Sequence, residues 1–194
     1  MSLTRKTLLA SAAAAAFAFS LASPTSTFAQ SMGEKTVMVG GAAMYPSKNI
    51  IQNAVNSKDH TTLVAAVKAA GLVDTLQGPG PFTVFAPTNE AFAQLPKGTI
   101  ETLLKPENKD KLVKILTYHV VSADAMADTV KKMIKDDGGK HTIATVSGGK
   151  LVAMMKGDKI VLQDENGGTA TVTIANVKQS NGVIHVVDHV LLPK

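Results

Sequence analysis

The chain has 194 residues, with 20 Lys and Arg against 15 Asp and Glu, and it contains no cysteine. The lack of cysteine excludes disulfides, thiol nucleophiles and thiolate metal sites. Arg5 is the only arginine, so every other basic side chain, histidine aside, is a lysine. Because arginine is the preferred side chain for phosphate and base recognition, this composition argues against nucleic-acid binding.

The first 29 residues have the pattern of a cleaved secretory signal. Arg5 and Lys6 precede the apolar stretch "TLLASAAAAAFAFSLA", and small residues follow at "TFA". A transmembrane anchor needs about 20 strongly apolar residues, which this alanine-rich stretch does not supply. We predict a signal peptide at 1–29 and an exported protein, periplasmic or secreted, with no integral membrane segment after cleavage. Residues 30–45, rich in glycine and small residues, are predicted to be a flexible leader.

The domain is predicted to span residues 46–194 and to begin with helices. Apolar residues recur at helical spacing in "NIIQNAV" and again in "TTLVAAVKAAGL". Thr61 is a candidate N-cap of the second helix, and Gly71 is a candidate stop.

A strand is predicted next, at "PFTVFAP", with Val84 on one face and Phe85 on the other. Pro87 cannot continue a hydrogen-bond ladder. We therefore expect the strand to end there and Thr88 to cap a short helix at about 89–94.

The remaining chain changes from helical to strand-like patterns. Two further helices are predicted before Tyr118, and a last one ends at Gly138 and Gly139. From residue 141 the apolar period becomes two, and turn sequences such as "KGDK" separate successive strands. Helices first and strands last, without βα alternation, predict an α+β fold with a mainly antiparallel sheet.

Few residues are candidates for catalysis or metal binding. His185 and His189 lie four residues apart in a predicted strand, which separates them by roughly 13 Å, too far to share one metal without a third element. No G-x-S-x-G or phosphate-loop motif occurs, and paired acids such as Asp136 and Asp137 fall in predicted turns. We predict no catalytic, cofactor-binding or metal-binding residues. A hydrolase would need convergent acid–base groups that the sequence does not display.

Tyr118 and His119 form a distinctive pair where a helix is predicted to meet the short strand Val120–Val121. Two interpretations are open. The rings pack inside while the hydroxyl and imidazole bond to backbone groups, or the pair presents an amphipathic aromatic tip to a partner.

Three stretches resemble the signature blocks of the fasciclin-domain family. "FTVFAPTNEAFAQLP" resembles the first block, "LTYHVV" its Tyr-His motif, and "NGVIHVVDHVLLP" the second block. They occur in the family's order, and the resemblance covers residues 46–193, most like secreted single-domain bacterial members.

The resemblance implies an α+β fold in which helices pack around an antiparallel-rich wedge of strands. It also implies a non-enzymatic adhesion or interaction module, without a cofactor, that contacts a protein or surface polymer on a cell, a matrix or a host. Carried over from animal relatives, the partner-binding candidates would be Tyr118, His119, Val120 and Val121.

A periplasmic carrier of a small ligand or lipid is the alternative function. In that case methionines such as Met126, Met133, Met154 and Met155 would line an apolar pocket. A separate expectation concerns the last block, where Asp188 interrupts an apolar stripe. We predict that Asp188 or Asn181 ties this strand to the polar corner of the first block.

Overall fold

A computed structural model describes residues 35–194. This range contains seven α-helices, numbered α1–α7: Ile50–Ala54, Thr61–Ala70, Val73–Gln77, Asn89–Ala93, Thr99–Leu103, Lys109–Tyr118 and Ala127–Asp136. The same range contains nine β-strands, numbered β1–β9: Val37–Val39, Ala42–Met44, Phe82–Pro87, Val120–Val121, Lys140–Ala144, Lys150–Lys156, Lys159–Gln163, Thr169–Gln179 and Gly182–Val187. Short 3₁₀ turns precede α2 and α6, at Lys58–His60 and Pro106–Asn108.

The strands form one small hairpin and one large sheet. β1 and β2 pair with each other, and the other strands form a sheet in the order β4-β3-β9-β8-β7-β6-β5. Neighbours in this sheet are antiparallel except β3 and β9, which lie parallel with Phe82 opposite Gly182. The predicted α+β fold with an antiparallel-rich sheet is confirmed. The first and last of the three blocks thus lie side by side, although about a hundred residues separate them in the chain.

The sheet has a hydrophobic core on each face, because successive strand residues point to opposite sides. Val84 and Ala86 pack on the face covered by α1, α2 and α6. Phe85 packs on the other face, in the core that α7 covers. The predicted assignment of Val84 and Phe85 to opposite faces is therefore confirmed.

The helix boundaries near the first block have local and distant causes. Thr88 caps α4 as predicted, since its hydroxyl accepts the Ala91 N–H at 3.2 Å. Gly71 ends α2 with φ +73°, also as predicted. The prediction for Thr61 is wrong: Thr61 is already helical, and the Asn89 side chain accepts the Thr62 N–H at 3.0 Å instead. The cap of α2 therefore comes from another helix.

The predicted leader at 30–45 is wrong in the part that the structure describes. Residues 37–44 form the β1–β2 hairpin, in which Val39 and Met44 are buried in the core beside the helices. Glycines at positions 40 and 41, both with positive φ, make the turn. The small residues that suggested flexibility therefore serve a tight turn. The predicted signal peptide at 1–29 lies outside the described residues.

The far part of the sheet, formed by β5–β8, has one covered and one open face. Ile143, Leu151 and Leu162 point into the core beneath α7. Residues paired across the strands share a face. The opposite side, which we call the open face, carries four exposed lysines, Lys140, Lys150, Lys156 and Lys159, with Thr142, Val152, Met154 and Thr169 between them, all exposed or half-buried. Val161, which lies on the same side opposite Met154, is buried.

Candidate functional site

Tyr118, the first predicted partner-binding residue, ends α6 and is fully buried in the core that contains Phe85. Its hydroxyl donates to the Lys150 carbonyl oxygen at 2.6 Å and accepts the Glu165 N–H at 3.2 Å. Burial raises the pKa of Tyr118 to about 12, so the phenol keeps its proton at neutral pH. Gly149 lies against the ring, where a Cβ would come within 2.6 Å of Tyr118 Cε2. Tyr118 thus joins α6 to two turns of the sheet.

His119 follows α6 and is 2% exposed. Its Nδ1 lies 2.8 Å from the Ile115 carbonyl oxygen, and its Nε2 lies 3.0 Å from the Leu191 backbone nitrogen. Because a carbonyl only accepts and an N–H only donates, the ring is neutral with its proton on Nδ1. Burial lowers the pKa of His119 to about 4. His119 therefore fastens the C-terminal segment to α6.

Val120 and Val121 form β4 and pair with β3. Val120 packs in one core and Val121 in the other. All four predicted partner-binding residues are buried, with exposed fractions of 7% or less. The expectation of an exposed aromatic tip is wrong, because both rings point inward and bond to backbone groups. The structure therefore agrees with the first interpretation of the Tyr-His pair, in which the rings pack inside and bond to backbone groups.

Two asparagines join segments that lie far apart in the chain. Asn53 is fully buried and bonds to the Tyr45 backbone through both its Oδ1, at 3.0 Å, and its Nδ2, at 2.8 Å. Its Nδ2 also donates to the side-chain oxygen of Gln179 in β8. Asn181 accepts the Ile50 N–H at 3.0 Å and donates to the Leu76 carbonyl at 2.8 Å. The sequence analysis did not single out Asn53. Nothing in its local sequence indicates distant partners.

Asp188 and Asn181 are both hydrogen-bonded, but not to the polar corner of the first block. Asp188 Oδ1 accepts the Thr171 N–H of β8 at 2.6 Å. The corner is attached to the last strand by a backbone bond instead, from the Thr88 N–H to the Val187 carbonyl at 3.3 Å. The prediction that the Asp188 or Asn181 side chain binds this corner is therefore wrong.

The two histidines near the end of the chain have separate roles. His185 is buried in β9; its Nε2 lies 2.8 Å from the Ala125 carbonyl oxygen, and its Nδ1 accepts the Asn176 N–H at 3.3 Å. Burial lowers the pKa of His185. His189 is exposed and lies 2.8 Å from Asp188. Within residues 35–194, no three His, Asp or Glu side chains are grouped so that they could hold a metal.

An apolar cavity bears on the carrier alternative. Its volume is about 70 Å³, and its walls include Val39, Met44 and the buried His60. A cavity of about 150 Å³ holds one benzene molecule, so this space is too small for a lipid chain. None of the four methionines proposed for a pocket lines it, and Met133 and Met155 are exposed.

The sequence model of the Fasciclin domain matches residues 58–193, a range that contains β3, the Tyr-His pair and β9. The chain belongs to the fasciclin-domain family. The hydrogen bonds of Tyr118, His119 and Asp188 described above all lie within the matched range. Between residues 35 and 194, no helix is long and apolar enough to cross a membrane.

Known proteins similar to this fasciclin domain come from several sources. It is 48% identical over 180 residues to protein sll1483 of Synechocystis sp., an alignment that covers 90% of this chain and 91% of the relative. It is 34% identical over 145 residues to immunogenic protein MPB70 of Mycobacterium bovis, with 72% and 66% coverage. The structure of a FAS1 domain pair from the insect cell adhesion molecule fasciclin I matches with a TM-score of 0.53 and 25% identity, over 67% of this chain and 43% of that one.

Proposed function

We propose that this fasciclin domain is a secreted, non-enzymatic adhesion-type module whose partner is a protein or a surface polymer. Membership of the fasciclin family supports the proposal. The likeness to a domain pair from an insect cell adhesion molecule supports the adhesive role. The site of contact is a cell surface, a matrix or a host.

The observation that carries the proposal is the internal use of the family's signature side chains. Tyr118 and His119 bond to backbone groups of distant segments, and Thr88 caps a helix. These residues hold the scaffold together and are not available to a substrate. Recognition then falls to the exposed loops and sheet faces that the scaffold positions.

The proposal is tested by binding of the exported chain to immobilised matrix, host cells and bacterial envelope polymers. Saturable binding to one of these supports an adhesion-type module. Absence of saturable binding to all of them contradicts it.

The variant Tyr118→Phe separates a scaffold role from direct contact. Because the ring is buried, the folded variant should bind its partner as tightly as the wild type. If affinity falls although circular dichroism shows that the variant is fully folded under the binding conditions, Tyr118 contacts the partner after all.

Export is tested by sequencing the N-terminus of the protein recovered from the envelope and the medium. A mature chain that begins at Gln30 supports removal of residues 1–29. A chain that retains these residues in both fractions contradicts it.

A further inference from the structure

The strands that form the open face have an unusual charge content. β5–β8 contain five lysines and neither aspartate nor glutamate. Four of the five, Lys140, Lys150, Lys156 and Lys159, lie on the open face, and Lys178 lies beyond the bulges of β8. Charge on this part of the sheet is therefore concentrated on the side that no core covers.

The four lysines of the open face are exposed and unpaired. The ion pairs found between residues 35 and 194 involve Lys132, His141 and His189, so no carboxylate within this range lies within 4 Å of an open-face ammonium group. The charge on the open face is therefore available to a partner.

Two acidic residues close to these strands, Asp164 and Glu165, lie in the β7–β8 turn. Asp164 is buried and accepts the Gly168 N–H at 2.7 Å and the Leu192 N–H at 3.0 Å. Glu165 accepts the backbone N–H of Lys150 at 3.0 Å. These two carboxylates are occupied by backbone donors. Of the other acids near β5–β8, Asp137 pairs with His141 and Asp188 accepts the Thr171 N–H, whereas Asp158, in the β6–β7 turn, is exposed.

The lysines are spread both along and across the strands. Lys156 and Lys159 are directly opposite each other, and Lys140 begins the neighbouring strand at the same end, opposite Met154. Lys150 lies six residues along β6, at a distance of about 20 Å. Four strands at a spacing of about 4.8 Å make the face about 14 Å wide. Such a face is long enough to meet several repeating units of an extended chain.

We infer that the open face binds an acidic polysaccharide. This inference rests on the proposed function and names the chemical class of its partner. Lysine is a compact point charge without the planar fork of arginine, so these side chains attract an anionic chain through charge and not through bidentate pairing. Small ligands are bound in concave pockets, whereas these lysines are spread over about 20 Å of one side of a sheet. Binding into a membrane surface uses apolar side chains that insert among the lipids, and Val152 and Met154 are half-buried between the lysines.

The experiment measures binding of the full exported chain to immobilised polygalacturonate, with uncharged dextran as the reference polymer. The open-face variant is Lys140→Glu/Lys156→Glu/Lys159→Glu. The matched control, Lys68→Glu/Lys105→Glu/Lys111→Glu, changes three exposed lysines of the helical part and alters the net charge equally. Urea unfolding checks that both remain folded. If charge reversal disturbs folding, Lys→Gln versions of both triplets replace them.

Wild type and control should bind polygalacturonate, and salt should release them because exposed charges are screened. The open-face variant should bind at least about tenfold more weakly, since each exposed charge pair contributes about 0.5 kcal/mol and reversal adds repulsion. Equal loss in both variants, or no binding by the wild type, overturns the inference.

Two further outcomes separate this inference from the proposed function. Lysine-dependent binding to phosphatidylcholine–phosphatidylglycerol vesicles, without binding to the polymer, would make the partner a membrane and overturn it. Binding to cells or matrix that survives in the open-face variant also contradicts the inference, but leaves the adhesion-type function intact.

Discussion

Replacing His119 by glutamine should make the stability of the protein less sensitive to acid. In the native state this ring is buried and neutral, with Nε2 accepting the Leu191 N–H at 3.0 Å. A proton on Nε2 would place two donors face to face and a charge in the core, both of which are unfavourable. The same contact holds the C-terminal segment, so protonation opposes its attachment.

The magnitude follows from the two pKa values of His119. The ordinary value of 6.5 applies to the unfolded chain, and burial lowers the pKa to about 4 in the folded protein. Above pH 6.5 both states are neutral, and the ring adds no pH dependence. Between 6.5 and 4 only the unfolded state binds the proton, so the free energy of unfolding falls by about 1.4 kcal/mol per pH unit. The total loss from this ring is about 3 kcal/mol.

The assay is urea unfolding, followed by circular dichroism, at a series of pH values from 4 to 8. His119→Gln should lower the free energy of unfolding at pH 7. Below pH 6.5 it should also reduce the slope of this free energy against pH by about 1.4 kcal/mol per pH unit, the contribution of one proton. Burial lowers the pKa values of His60 and His185 as well, so part of the slope should persist. Identical slopes for wild type and His119→Gln would refute the reasoning.

Three further substitutions test the contacts around the signature blocks by urea unfolding. Tyr118→Phe should lower the free energy of unfolding by about 1–3 kcal/mol, because it leaves the Lys150 carbonyl without its hydrogen bond. A loss below about 0.5 kcal/mol would mean that water replaces the hydroxyl. Gly149→Ala should lower the free energy of unfolding by about 1–3 kcal/mol, since its Cβ would clash with the Tyr118 ring. An unchanged urea midpoint would contradict this packing. Asn89→Ala should lower the free energy of unfolding by about 1 kcal/mol through loss of the Thr62 cap. Asn89→Asp keeps the acceptor but loses the N–H that donates to the Lys58 carbonyl, so it should recover only part of this loss.

Local chemistry was enough to predict much of the first block. Pro87 ends a strand for covalent reasons, and Thr88 caps the following helix with its own hydroxyl. Alternation placed Val84 and Phe85 on opposite faces, and Gly71 ended its helix through a positive φ. In each case the deciding groups lie within a few residues of one another.

The predictions that were wrong depended on distant partners. Thr61 does not cap α2, because Asn89 reaches the Thr62 N–H from another helix. The glycines near residue 40 form a turn that places Val39 in the core. Composition alone could not distinguish that turn from a flexible leader, because both use small residues.

At the candidate site, too, the sequence pattern pointed to the residues but not to their contacts. The sequence identified Tyr118 and His119 as unusual, but both an internal and an external role agreed with their pattern. Their partners lie at Lys150, Glu165 and Leu191, which only the folded chain brings near. The open face could likewise not be predicted from the sequence, because the residues that share it are known only once the register of four strands is known.

The sequence by itself determined the fold class and the family of this protein. Periodicity, prolines and glycines act locally, and three conspicuous blocks occur in a set order. Only the tertiary structure decided which of these residues face inward and which surface remains for a partner. The physical reason is that burial and hydrogen-bond pairing belong to contacts between segments, whereas a sequence pattern records only the preferences of each segment.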